Sequence, residues 1–133
     1  MIELAIVPLL TSMSAITAQL GTRPSQDTGI YPLTVPTNPT LPAIAYQVIA
    51  SVESPAVNAP LGVVRSRLQI DCVASTYGEA VTLRDAVRQS LAGFMGVVNG
   101  VTIQNTLPLT TRDLYEEVLL QYVARIELYL WWS

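Results

Sequence analysis

The sequence contains no histidine, no lysine and only one cysteine, Cys72. Without histidine, neither a Ser-His-Asp nor a Cys-His catalytic site can be assembled. A lone cysteine excludes an intrachain disulfide, and no cluster of Cys or His offers zinc ligands. No glycine-rich stretch has phosphate-loop spacing; the Gly93–Gly100 region lacks the Lys and Ser/Thr such a loop requires. Glu116 and Glu117 are adjacent, so in a strand they face opposite ways and cannot work as an acid–base pair. Arg112-Asp113 reads as a polar turn with a local ion pair. The chain is therefore expected not to be an enzyme and to carry no cofactor and no metal.

Charge is also scarce. Charged residues make up 13% of the chain, against roughly 25% in an average soluble domain. All seven basic residues are Arg and the net charge is −3. Binding to nucleic-acid phosphates draws on clustered positive charge, which is missing. Half of the chain is hydrophobic, so much of the surface is expected to be buried against partner subunits. Arg in preference to Lys suits such interfaces, because guanidinium desolvates more cheaply and binds carboxylates through two bonds. The apolar runs are too short to cross a bilayer, and the N-terminus has Glu3 but no basic region. The reading is cytoplasmic, with no membrane partner.

The most legible stretch is Ser66 to Phe94. Ser66, Leu68, Ile70, Cys72 and Ala74 alternate with Arg65, Arg67, Gln69, Asp71 and Val73, a period of two that marks a strand with one small apolar face. Cys72 falls on that face and is expected to be a buried, inert thiol. Thr76 and Glu79 then have capping-box spacing. Ala80, Leu83, Val87, Leu91 and Phe94 recur at helical spacing, and Gly93 and Gly96 supply stop signals.

Before this stretch, Ile2, Ile6, Leu9, Met13, Ile16 and Leu20 form a stripe that predicts one helix to about residue 20, its regular part starting near Val7 because of Pro8. Residues 21–42 carry five prolines and read as ordered loop or edge strand, with a short strand at Ile30–Leu33. Residues 43–52 read as a strand with Ile44, Tyr46, Val48, Ala50 and Val52 on one face. The loop 53–62 can project as an arm, represented by Glu53, Asn58 and Leu61.

After the helix, Asn99-Gly100 is a hairpin signal. Residues 101–107 alternate as a strand, 108–116 read as a polar turn, and 117–132 as a long final strand. On that strand Leu120, Tyr122, Ala124, Ile126, Leu128, Leu130 and Trp132 point one way. Gln121, Val123, Arg125, Glu127, Tyr129 and Trp131 point the other.

The order predicts an α+β fold: one mainly antiparallel β-sheet with two helices packed on one face, in a single domain spanning 1–133. Both faces of the last strand are apolar near its end, and the second needs a cover. Arg65, Arg67 and Asp71, with Val123, Arg125, Glu127, Tyr129 and Trp131, are the candidate subunit interface. Two readings of its charges stand side by side: a solvated outer face, or ion pairs formed across a subunit boundary.

Several stretches together are similar to a known family. They are Ile30-Tyr31-Pro32, then Leu41-Pro42 leading into Ala45-Tyr46-Gln47-Val48-Ile49. Arg67-Leu68-Gln69-Ile70-Asp71-Cys72 and Thr76-Tyr77-Gly78-Glu79-Ala80 follow, and Arg112-Asp113-Leu114-Tyr115-Glu116 precedes the aromatic end. In this order they resemble the tail completion, or tail terminator, family of long-tailed bacteriophages and gene-transfer particles, from about residue 30 to the end. The resemblance implies a structural virion protein, assembled in the host cytoplasm and placed at the head–tail junction. It would form a ring, hexameric in this family, that caps the tail tube and joins it to the head connector or adaptor. DNA would pass through as non-specific cargo, with no cofactor and no catalysis. A head-completion or tail-tube subunit, or a non-viral soluble adaptor module, are the alternatives. The family has no sharp motif of functional residues, so it assigns none here.

Overall fold

The computed structural model describes residues 2–21, 23, 27–36, 39–53 and 62–133. Its centre is the strand and helix that the periodicity marks. Strand β3 (Val64–Ala74) buries Ser66, Leu68, Ile70, Cys72 and Ala74 completely, while Arg65, Arg67, Gln69 and Asp71 lie on the other face. Helix α3 (Tyr77–Leu91) starts at the Thr76 N-cap, one half of the expected capping box: the Thr76 hydroxyl accepts the Glu79 N–H at 3.3 Å. Its buried stripe is Ala80, Leu83, Val87 and Leu91. Cys72 is inside the core, and burial pushes its thiol pKa far up, so the thiolate does not form under ordinary conditions.

The N-terminal stripe is buried at Ile2, Ile6, Leu9, Ile16 and Leu20 but not as one helix. A 3-10 turn (Ile2–Leu4) leads into α1 (Ile6–Thr11) and α2 (Ser14–Leu20), which are bent by 77° at the break. Pro8 sits in the first turn of α1, where its missing N–H costs nothing. The bend comes later. The Thr11 and Ser12 hydroxyls bond back to the carbonyls of Val7 and Leu9, and Met13 leaves helical geometry. Such back-bonding competes with the helical ladder. No single helix among the described residues is long and apolar enough to cross a membrane.

Six strands form one sheet in the order β1-β2-β3-β6-β5-β4. These are β1 (Ile30–Pro32), β2 (Ala43–Glu53), β3, β4 (Gly96–Val98), β5 (Val101–Glu116) and β6 (Gln121–Trp132). The α+β class stands, but the predicted arrangement needs correction. The sheet is mixed, since β1 pairs with β2 in parallel, and it curls into a half-barrel rather than a flat layer with two helices on one face. Three helices share its core with the inward residues of β3 and β6. Bulges account for part of the curl: β5 shifts register between Ile103 and Asn105 and again between Pro108 and Thr110.

Two further corrections concern strand limits and faces. Residues 108–116 are not a turn. They continue β5 in register with β6, from Pro108 opposite Leu128 to Glu116 opposite Gln121. Pro108 is tolerated because no described strand lies on the other side of β5 there. The turn lies at 117–120, so Leu120 belongs to it, at φ 54°, and not to a strand face. In β2 a bulge between Val48 and Ala50 reverses the alternation. Ile44, Tyr46 and Val48 lie opposite core residues of β3, whereas Ala50 and Val52 pair with Arg67 and Arg65 on the outer face. The Asn99-Gly100 hairpin forms as expected, both residues at positive φ, with Val98 opposite Val101.

Candidate subunit interface

The outer face of β3 and β6 carries the predicted interface residues, and register decides which of them meet. Asp71 stands directly opposite Arg125. The Arg125 guanidinium donates to both Asp71 oxygens, at 2.7 and 3.2 Å. This fork-to-fork geometry is the strongest form of a carboxylate–Arg pair, and it raises the Arg125 pKa. One diagonal step away, Arg67 Nη2 donates to Glu127 at 2.7 Å, which likewise raises the Arg67 pKa. Both pairs are part-exposed, so solvent screens them and each contributes little to folding.

An aromatic run continues the face towards the end of β6. The Arg65 guanidinium lies 4.5 Å from the centre of the Tyr129 ring, and Trp131 meets Tyr129 edge-on at 5.8 Å. Such a cation over an aromatic face is worth about 0.5–1 kcal/mol at an exposed site. Among the described residues no carboxylate lies within ion-pair distance of Arg65. Val123, Tyr129 and Trp131 are each half-buried. The eight candidates thus form one continuous strip within a single chain. Of the projecting loop, Glu53 ends β2 and is exposed; Asn58 and Leu61 lie outside the described residues.

At the Val123 end the strip opens into a cleft of about 390 Å³, lined by Leu33, Val35, Pro36, Asp71, Val123 and Leu119 among others. Beside it stands a feature that the periodicity did not reveal. Val118, Leu119 and Leu120 form the tip of the β5–β6 hairpin and are 87, 62 and 68% exposed. Three consecutive apolar residues after Glu116-Glu117 are a visible signal, but assigning them to a strand hides it. The neighbouring Leu33 is 70% exposed.

The long β5 arm is pinned to α3 on the inner side. Asp113 accepts hydrogen bonds from the Tyr77 hydroxyl and from Arg84 Nη1. The Tyr77 bond first, and the Arg84 charge with it, hold the Asp113 carboxyl below its usual range. Among the described residues no group of three or more His, Cys, Asp or Glu is placed to hold a metal ion.

The comparisons agree with one another. A family model described as tail completion protein gp17 matches residues 5–128. A solved chain of the virion of a native gene transfer agent particle has the same fold, with a TM-score of 0.69. It is 15% identical in sequence, and the match covers 98% of this chain and 92% of that one. No curated protein sequence matches.

Proposed function

The chain belongs to the tail completion protein gp17 family and is a structural protein of a phage-like virion tail. From that premise we propose that it forms a closed ring, six copies in the simplest case, that caps the tail tube and joins it to the head connector. One rim meets the tail-tube protein and the other meets the connector or adaptor. DNA passes through the ring without being read. The role is architectural, and no chemistry is assigned to any residue.

The observation that carries this reading is the distribution of exposed apolar side chains. Val118, Leu119 and Leu120 stand out at the hairpin tip, and Ile49 and Val52 on β2 are 43 and 50% exposed. These are different surfaces at separate places on one sheet. Different surfaces that complement each other build head-to-tail contacts, which close into rings or run on as filaments. The paired charges Arg67–Glu127 and Arg125–Asp71 suit a particle through which DNA slides, because arginines already satisfied do not hold phosphates.

Sedimentation of the purified chain tests the proposal. A species far above 14.4 kDa, ring-shaped in negative stain, is expected without any tail-tube protein present. Trp131→Ala is expected to lower the assembled fraction and leave the circular dichroism of the fold unchanged. A stable monomer at micromolar concentration for the unmutated chain overturns the pre-formed ring.

A further inference from the structure

Among the described residues, two strands of the sheet have backbone edges that are open over much of their length. Strand β1 pairs with β2 only from Ile44 to Tyr46, and the last bond on that side is Leu33 N–H to the Tyr46 carbonyl at 2.8 Å. From Gln47 to Glu53, no described strand lies on the outer side of β2. At the other end, β4 covers β5 only as far as Ile103, and Gly93 N–H takes the Thr106 carbonyl. From Leu107 to Glu116, no described strand lies on the outer side of β5. An open edge is a row of unpaired donors and acceptors that recruits another strand.

Natural edges are usually blunted, and lysine is a common means. This chain has no lysine. The run Gln47–Val52 has no charge, no proline and no glycine, and most of it is exposed. On β5, Pro108 cannot donate, so the usable run is Leu109–Glu116. Its Asp113 is turned inward to Tyr77 and Arg84. The two open runs are of similar length; β5 is blunted at its start by Pro108 and the bulge beside it, whereas the β2 run carries no such device among the described residues.

We propose that these edges pair with each other between copies, β5 of one chain adding to β2 of the next. The proposal rests on the ring reading and names the contact that builds the ring. Strand direction supports it. The pairs β2–β3, β3–β6 and β6–β5 are all antiparallel, so β5 runs opposite to β2. A neighbour generated by rotation about an axis along the strands keeps its strand directions. Its β2 therefore meets β5 antiparallel, the commoner and stronger pairing. The contact is also head-to-tail, since it uses two different edges, and this is the kind that can close. Following the register through Gln69 and Glu127, Gln47 stands level with Thr110. A stagger of about four residues brings the whole β2 run opposite the β5 run, and tilted strands in a closed sheet impose shear of this kind.

Hydrogen exchange of the assembled protein, read by mass spectrometry on peptides spanning 47–53 and 109–116, tests the pairing. Amides that face an open edge exchange near the rate of unstructured chain, and inter-copy bonds slow them about a hundredfold. The expected result is protection in both peptides that is lost in parallel on dilution to monomer. A ring whose two peptides exchange alike before and after dilution sinks the edge pairing and leaves the ring standing. Protection of 109–116 alone means like-to-like pairing of β5 and overturns the head-to-tail contact. Absence of any assembly at every concentration overturns both the pairing and the ring.

Discussion

Trp132 Nε1 donates a 2.8 Å hydrogen bond to Ser66 Oγ, a fully buried hydroxyl on the core face of β3. Ser66 also shares a 2.7 Å bond with the Ser51 hydroxyl of β2, so three strands meet at one oxygen. An indole packed against the core needs a partner for its N–H. This explains why an apolar strand face holds a serine at the position next to the tryptophan.

Ser66→Ala is expected to destabilise the fold by about 1–3 kcal/mol, because it strands the Trp132 N–H. Urea unfolding followed by tryptophan fluorescence measures it. A loss within experimental error of zero shows that the bond is not formed in solution.

The Asp113 clamp makes stability depend on acid. Its folded carboxyl pKa is depressed from 3.8, by the Tyr77 hydroxyl first. A depressed carboxyl adds stability that is present above its unfolded pKa and is lost as pH falls through the folded one. Asp27, lowered by the Tyr31 hydroxyl first, acts in the same direction. Thermal melts from pH 6 down to pH 2 are therefore expected to show a decline beginning near pH 4, and Asp113→Asn to flatten it. An unchanged profile in the variant removes the clamp from the account.

The Arg67–Glu127 pair separates a role within the chain from one between chains. Arg67→Glu places two carboxylates side by side and is expected to loosen assembly, more so at low salt. The exchange Arg67→Glu with Glu127→Arg restores the internal pair, and monomer stability is expected to return to that of the original. Assembly that stays weak in the exchanged protein shows that these charges also face a neighbouring copy. If assembly at low salt is indifferent to Arg67→Glu and to Arg125→Glu alike, the face is merely solvated.

Periodicity is a local property, and what it governs is legible in the residues themselves. The alternation from Ser66 to Ala74 determined which side chains of β3 enter the core, Cys72 among them. Thr76 and Glu79 determined where α3 begins, and Asn99-Gly100 where a hairpin turns. The interface strip was legible to the same depth, as residues sharing a face. The tertiary structure alone decided who meets whom across that face: Asp71 opposite Arg125, Arg67 diagonal to Glu127, Arg65 over Tyr129. It also decided that Pro108 to Glu116 extend β5, because β6 offers them a ladder that their own polar, Pro-led composition does not announce. The bulge at Ile49 turned Ala50 and Val52 outward, and the break after Thr11 divided one apolar stripe between two helices. Register, bulges and free edges come from pairing between segments far apart in the chain, and a pattern within one segment carries no record of its partner.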